Sequence, residues 1–436
     1  MTISVVAHPA SSAEEVDKMT VVSAEADVNK SAPCPGSSTE AFVPTLDLSP
    51  MFSTEEAALL ESADVQKLVQ KMRHTMETVG FFQIVGHGVE ETIVKNMFAK
   101  SKDFFDLPEE SKNETPMTPT YPYGYEAAEI LAKGWHETEQ VADSKEDEIK
   151  DTTKENLNCP STGDERSPAS VDELEKPAKR TKTDHVEPPA KLQKPEPDMK
   201  ETFNFTLHKS FRPFKFPRQE LFQQGAAQGG SAENNVLDLS SDLSFQQACE
   251  TYYESMFLLA KKLLQVFAMA LELPDVNWFL NKVDEHQSAC RLLNYPHLDQ
   301  YQPNKLRASP HTDYGILTIL KQDQTGGLQV RNEFTKSWVN VKPSACGNAF
   351  VVNIGDLMMR WTNDKWKSTV HQVVAPPLIR PNVSNRRQSV AFFFNANEDA
   401  AIETFPSCRE SDGSTKYPMV IAGEYLMSKH GKANTN

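Results

Sequence analysis

Apolar residues recur at spacings of three and four between positions 62 and 79, where Val65, Leu68, Val69, Met72 and Met76 fall on one helical face. Gly80 ends that period, and Phe81-Phe82-Gln83-Ile84-Val85 reads as a buried strand. The folded part begins just upstream, at the short alternating run Val43-Pro44-Thr45-Leu46-Asp47-Leu48. A second helix is predicted over 90–105, from Glu90 through Phe98 to Phe105, with Pro108 ending the pattern. A longer one is predicted over 244–272, where Phe245, Ala248, Tyr252, Met256, Leu259, Leu263 and Phe267 lie on a broad apolar stripe and Pro274 lies just past its end. From Arg291 to about 395 the pattern changes to short β-rich runs: Ile316–Leu320, Gly327–Val330, Ser337–Val341, Ala349–Ile354, Val370–Val374 and Ser389–Phe394. Many short strands parted by turn residues argue for a sandwich or barrel. The expected class is α+β, with helices from the first half bracing a double-sheet barrel in the second.

Two segments lack any such period. Residues 1–40 are rich in Ser, Ala, Glu and Val and read as a mobile tail. Residues 137–198 consist almost wholly of Asp, Glu, Lys, Ser, Thr and Pro. They carry too little apolar area to offset the entropy of ordering, so they read as a disordered acidic insertion within a domain. The expected organisation is therefore a tail (1–40), an N-terminal region (41–136), the insertion (137–198), a helical region (199–288), a β-rich core (289–400) and a C-terminal segment (401–436).

The 436 residues carry a formal charge of −16, which repels phosphate backbones and argues against a nucleic-acid partner. No apolar run is long enough to span a membrane, and the first residues lack the basic and apolar regions of a secretory signal. None of the six cysteines forms a C-x-x-C pair, so reduced thiols in a cytoplasmic protein are expected.

Candidate chemistry is concentrated in the β-rich half. In Ser309-Pro310-His311-Thr312-Asp313, the His and Asp are two apart, and on a strand i and i+2 project to the same face. His371, in a later strand-like run, can supply a third ligand. Two imidazoles and one carboxylate on one face of an octahedron leave positions open, which suits Fe(II). Alone, an H-x-D pair is more often a surface feature, and a single His is more often a packing residue. Sixteen residues beyond His371, Arg387 and Ser389 are again two apart; a guanidinium and a hydroxyl there can grip a carboxylate. Tyr295, in Asn294-Tyr295-Pro296, offers a phenol to the same group.

The order Tyr-Pro, His-x-Asp, a distant His, then Arg-x-Ser resembles the 2-oxoglutarate- and Fe(II)-dependent dioxygenases, in the branch that includes isopenicillin N synthase and plant-type oxidases. Further matches run in order: Val79–Val89, Tyr123-Gly124-Tyr125, Lys200-Glu201-Thr202-Phe203, Gly326–Val330, Trp338-Val339, Asn353-Ile354-Gly355-Asp356 and Gly423-Glu424-Tyr425-Leu426. They cover all but the tail and the insertion. The resemblance implies a double-stranded β-helix (jelly-roll) core, with iron on His311, Asp313 and His371 and the distal carboxylate of 2-oxoglutarate on Arg387, Ser389 and Tyr295. It implies O2 as the other co-substrate, and hydroxylation, desaturation or cyclisation of a small molecule with release of succinate and CO2, by a monomer. The chain departs from many plant members at Leu293, where they carry Asn, and at Asn395-Ala396-Asn397, where a Pro is common. Tyr314, Phe392 and Phe394 are candidates to line the pocket, with core packing as the alternative. Two other functions stay open: an oxidase like isopenicillin N synthase that does not use 2-oxoglutarate, and a non-catalytic binding protein on the same scaffold.

Overall fold

The strands of the β-rich half build two sheets, each with one face turned to the other. The computed structural model describes residues 42–118, 121–127, 198–211, 214–225, 243–298, 305–376 and 384–434, all within the compact unit Thr39–Asn436. The expected tail lies outside the described residues, and so does the expected insertion apart from Asp198.

The first four strands are β1 (Thr45–Asp47), β2 (Phe81–Val85), β3 (Gly124–Glu126) and β4 (Glu201–Phe205). Then come β5 (Ala289–Tyr295), β6 (Leu306–His311), β7 (Leu317–Gln322), β8 (Leu328–Asn332) and β9 (Ser337–Asn340). The last strands of the two sheets are β10 (Phe350–Ile354), β11 (His371–Val374) and β12 (Arg387–Phe394). One sheet has eight strands in the order β1-β2-β10-β7-β12-β5-β4-β3, and the other has four in the order β6-β11-β8-β9. Leu293, Tyr295, Val351 and Ala391 of the larger sheet pack with Ala308, Leu328, Val330 and Val373 of the smaller one in a single apolar cluster. That cluster is the jelly-roll interior. The opposite side chains of the larger sheet, such as Leu292, Ile319, Val352 and Phe392, enter a second core with the helices.

Helices α1 (Ala63–Thr78), α2 (Glu91–Phe105) and α3 (Phe245–Ala270) form that outer layer. Ser244 starts α3 with a capping box: its hydroxyl accepts from Gln247 N while the Gln247 side chain accepts from Ser244 N. The stripe predicted for α3 is exceeded, because every residue from Leu263 to Ala270 is buried. The end of this helix is enclosed on all sides rather than resting on one face. Gly80 joins α1 to β2 at φ +65°, and a Cβ there would collide with the Lys367 carbonyl. The short helix α4 (Asp356–Trp361) follows β10 with no counterpart in the hydrophobic pattern.

On either side of the expected insertion, β3 and β4 are antiparallel neighbours with Glu126 opposite Thr202. The chain thus leaves and re-enters the sheet at adjacent points. Asp198, expected to close the insertion, is buried and belongs to the fold.

Candidate active site

Strand β6 ends on His311 and β11 begins on His371, and pairing of the two strands sets these residues opposite each other. Their ring centroids are 4.3 Å apart. Asp313 follows just past the end of β6. Its Oδ1 lies 4.0 Å from His311 Nε2 and 3.9 Å from His371 Nε2. One ligand atom from each residue falls within 4.8 Å of the others.

Each group has its remaining hydrogen-bonding capacity used away from that point. His311 Nδ1 donates to the Ser309 carbonyl at 2.7 Å and His371 Nδ1 to the Thr369 carbonyl at 3.2 Å. A proton on Nδ1 leaves the Nε2 lone pair directed at the shared centre. Asp313 Oδ2 accepts from Thr318 Oγ1 at 2.6 Å and from Asn353 Nδ2 at 2.7 Å, so Oδ1 is the oxygen left to bind. Burial works against the Asp313 carboxylate, but the two histidines and these two donors outweigh it and hold its pKa below the usual range. Burial, helped by His311, lowers the pKa of His371, so both it and the carboxylate are in their metal-binding forms at neutral pH. The edge of the Phe81 ring packs on His371 at 5.2 Å. This donor set fits a divalent iron with open positions.

The second half of the site lies further along the interior. In the β5–β12 pair, Tyr295 faces Arg387 and Leu293 faces Ser389. Arg387 is 1 % exposed. Its Nη1 donates to Ser389 Oγ at 3.1 Å and its Nη2 to Gln322 Oε1 at 3.2 Å, while Nε has no hydrogen-bond partner. The guanidinium carbon stands 4.9 Å from the Tyr295 ring centroid, so Tyr295 meets the cation with its face. Among the described residues no carboxylate pairs with this buried cation. An unpaired buried charge is costly, and a ligand carboxylate would offset that cost.

Phe392 and Phe394 do not line this interior. They point to the helical layer, where Phe392 meets Tyr253 and Phe394 meets Phe257. Tyr314 also packs partly against that outer core. The interior face of β12 carries Ala391 and Phe393 instead. Arg291, opposite Ala391, lies over the Phe393 ring and donates from Nε to Asn204 Oδ1 at 2.7 Å, a polar spot on an apolar wall.

Several supporting residues escaped sequence reasoning. Asn353 sat in a recognised motif without a role, and Thr318 and Gln322 lay unmarked in β7. Alternation along β7 was the available signal, since 318, 320 and 322 share its interior face. Asp198 accepts from Ser309 N and Ser309 Oγ, two residues before His311, and pairs with buried Lys200 at 3.3 Å. No periodic signal announces that contact.

Residues 287–396 match the family described as 2OG-Fe(II) oxygenase superfamily. Residues 43–163 match the one described as non-haem dioxygenase in morphine synthesis N-terminal. The chain is 28% identical over 405 residues to the 2-oxoglutarate-Fe(II) type oxidoreductase hxnY of Emericella nidulans, covering 89% of this chain and 91% of that protein. It is 27% identical over 395 residues to a homoarginine-6-hydroxylase of Oryza sativa subsp. japonica, covering 89% and 96%. A full-length Neurospora crassa protein solved with alpha-KG and thymine superposes with a TM-score of 0.62 at 24% identity, over 89% of this chain and 96% of that one. The rice dioxygenase for auxin oxidation superposes at 0.54, with 18% identity over 89% and 95%.

The chain belongs to the 2OG-Fe(II) oxygenase superfamily. It is a 2-oxoglutarate-dependent dioxygenase, with Fe(II) as its metal and 2-oxoglutarate and O2 as co-substrates. That removes the 2-oxoglutarate-independent oxidase and the non-catalytic scaffold as leading readings. Among the described residues no helix is long and apolar enough to cross a membrane.

Proposed function

We propose that His311, Asp313 and His371 hold the Fe(II), and that Arg387, Ser389 and Tyr295 hold the distal carboxylate of 2-oxoglutarate. The observation that carries this reading is the pairing of a converging His-Asp-His cluster with a buried Arg387 that has no carboxylate partner among the described residues, in one barrel interior. Bound there, iron supplies the redox chemistry that couples decarboxylation of 2-oxoglutarate to two-electron oxidation of a substrate. The residues supply position. Thr318 and Asn353 keep Asp313 ionised and aimed, the Ser309 and Thr369 carbonyls fix the two imidazoles, and the apolar interior excludes water. Arg387 and Ser389 orient the co-substrate by its far end, leaving its keto acid end toward the metal ligands.

The primary substrate is a small organic molecule that enters this interior and is hydroxylated, desaturated or cyclised. A relative named as a homoarginine hydroxylase and a similar structure solved with thymine beside alpha-KG support this, as does a wall on which Arg291 and Asn204 are polar points among apolar residues. The chain acts as a monomer in the cytoplasm, without nucleic-acid or membrane partners.

The test uses the full chain. Anaerobic Fe(II) plus 2-oxoglutarate is expected to give a weak visible charge-transfer band, and air is expected to give succinate above background with a suitable small molecule. His311→Ala should lose both. Absence of band and succinate in the wild-type protein would overturn the proposal.

A further inference from the structure

Arg307 and Arg387 are the two fully buried arginines among the described residues. Arg307 lies on β6 four residues before His311, in a stretch where the β6–β11 pairing shifts register, and it is fully buried. Its Nη2 donates to the Pro296 carbonyl at 2.6 Å and its Nη1 to the Asn385 carbonyl at 3.2 Å. Pro296 directly follows Tyr295, and Asn385 stands two residues before Arg387. One guanidinium thus ties together the ends of the two strands that carry the proposed carboxylate grip, from the strand that carries His311.

The electrostatics point the same way. Among the described residues neither Arg307 Nε nor Arg387 Nε has a hydrogen-bond partner, and neither guanidinium pairs with a carboxylate. Burial and then the Arg387 charge lower the pKa of Arg307, with Tyr295 and Asp323 opposing. Two buried cations that feel each other favour an incoming anion more than either would alone. Arg307 donates only to main-chain carbonyls, so it acts on a ligand through Arg387 and Tyr295.

We infer that Arg307 is a positioning residue for the co-substrate: it fixes Tyr295 and Arg387 relative to each other and adds a second buried charge. Loss of Arg307 is therefore expected to weaken a dicarboxylate keto acid more than a monocarboxylate one. The inference rests on Arg387 being the carboxylate grip, and the test separates the two.

Binding of 2-oxoglutarate and of 2-oxobutyrate, which lacks the distal carboxylate, is titrated anaerobically on the Fe(II)-loaded full chain through the charge-transfer band. Co(II) absorption reads metal affinity independently. Arg307→Gln is expected to weaken 2-oxoglutarate about tenfold or more, while 2-oxobutyrate and Co(II) stay within about twofold. Arg307→Lys keeps the charge but cannot bridge both carbonyls as a fork, so its preference for the diacid should fall between wild type and Gln. If Gln does not fold, the Lys variant decides: an unchanged preference for the diacid overturns the inference. It is equally overturned if Arg307→Gln binds 2-oxoglutarate like wild type, or if both keto acids and Co(II) weaken together. In either case, weakened 2-oxoglutarate binding by Arg387→Gln leaves the grip standing. Unchanged binding by Arg387→Gln removes the grip, and the inference with it.

Discussion

Asp313 uses its two carboxylate oxygens for different tasks. Oδ2 is held by Thr318 and Asn353, and Oδ1 faces the two imidazoles. Removing one of the two donors should let the carboxylate rotate and blunt its charge. Asn353→Leu is therefore expected to weaken Co(II) or Fe(II) binding by about 10–100-fold while leaving the protein folded. A metal titration beside a thermal melt checks this, and unchanged affinity would reduce Asn353 to a packing role. The proposed ligands were legible in the sequence because their spacing is local: Arg-x-Ser puts two groups on one face of β12, and His-x-Asp puts one group at the end of β6 and the other just past it. Asn353, Thr318 and Gln322 were not, because each meets its partner across a strand pairing or around a bend.

At the scale of elements, the joints are where single residues matter most. Ser244 and Gln247 satisfy each other's backbone N–H groups at the start of α3, which is the longest described helix. Ser244→Ala removes half of that arrangement and should cost about 1 kcal/mol, read as a fall in Tm. Gly80→Ala should cost more, since it combines a left-handed backbone with a collision at the Lys367 carbonyl. A Tm drop for Gly80→Ala no larger than that for Ser244→Ala would contradict this account. Helices α1 and α2 and strand β2 were legible to within a residue or two, because one face of each is apolar and the period is unambiguous. Short α4 was not, since its six residues span fewer than two turns and show no period.

At the scale of the whole molecule, β3 and β4 pair on either side of the segment read as an insertion. Replacing residues 131–194 by a short Gly-Ser linker is expected to leave the melting profile and 2-oxoglutarate turnover intact. Loss of cooperative unfolding would show that the segment is part of the fold. Acid stability is expected to depend on His286, wedged against Phe257, Tyr253 and Phe394. Burial first, and the His208 charge second, push its pKa down to about 4. The unfolded chain takes up this proton near its ordinary value of about 6.5 and the folded protein does not, so the unfolded state binds more protons between those values. The His286 contribution is full above about pH 6.5 and is lost as the pH falls toward 4. His286→Gln should therefore show a shallower fall of Tm with acidification than the wild-type protein.

By itself the sequence determined the α+β class, the main helices, the run of barrel strands and the residue types able to hold iron and a carboxylate. These follow from local rules, since period and i, i+2 spacing act within a few residues. Only the tertiary structure decided which groups meet. It set His371 opposite His311, gave Asp313 its two donors, turned Phe392 and Phe394 away from the pocket, and placed Arg307 across the strand ends beside Arg387. Strand pairing between distant segments fixes those encounters, and register is set by burial over whole sheets rather than by any short stretch of chain. The proposed metal ligands are thus named from the chain, while the residues that brace them are set by the fold.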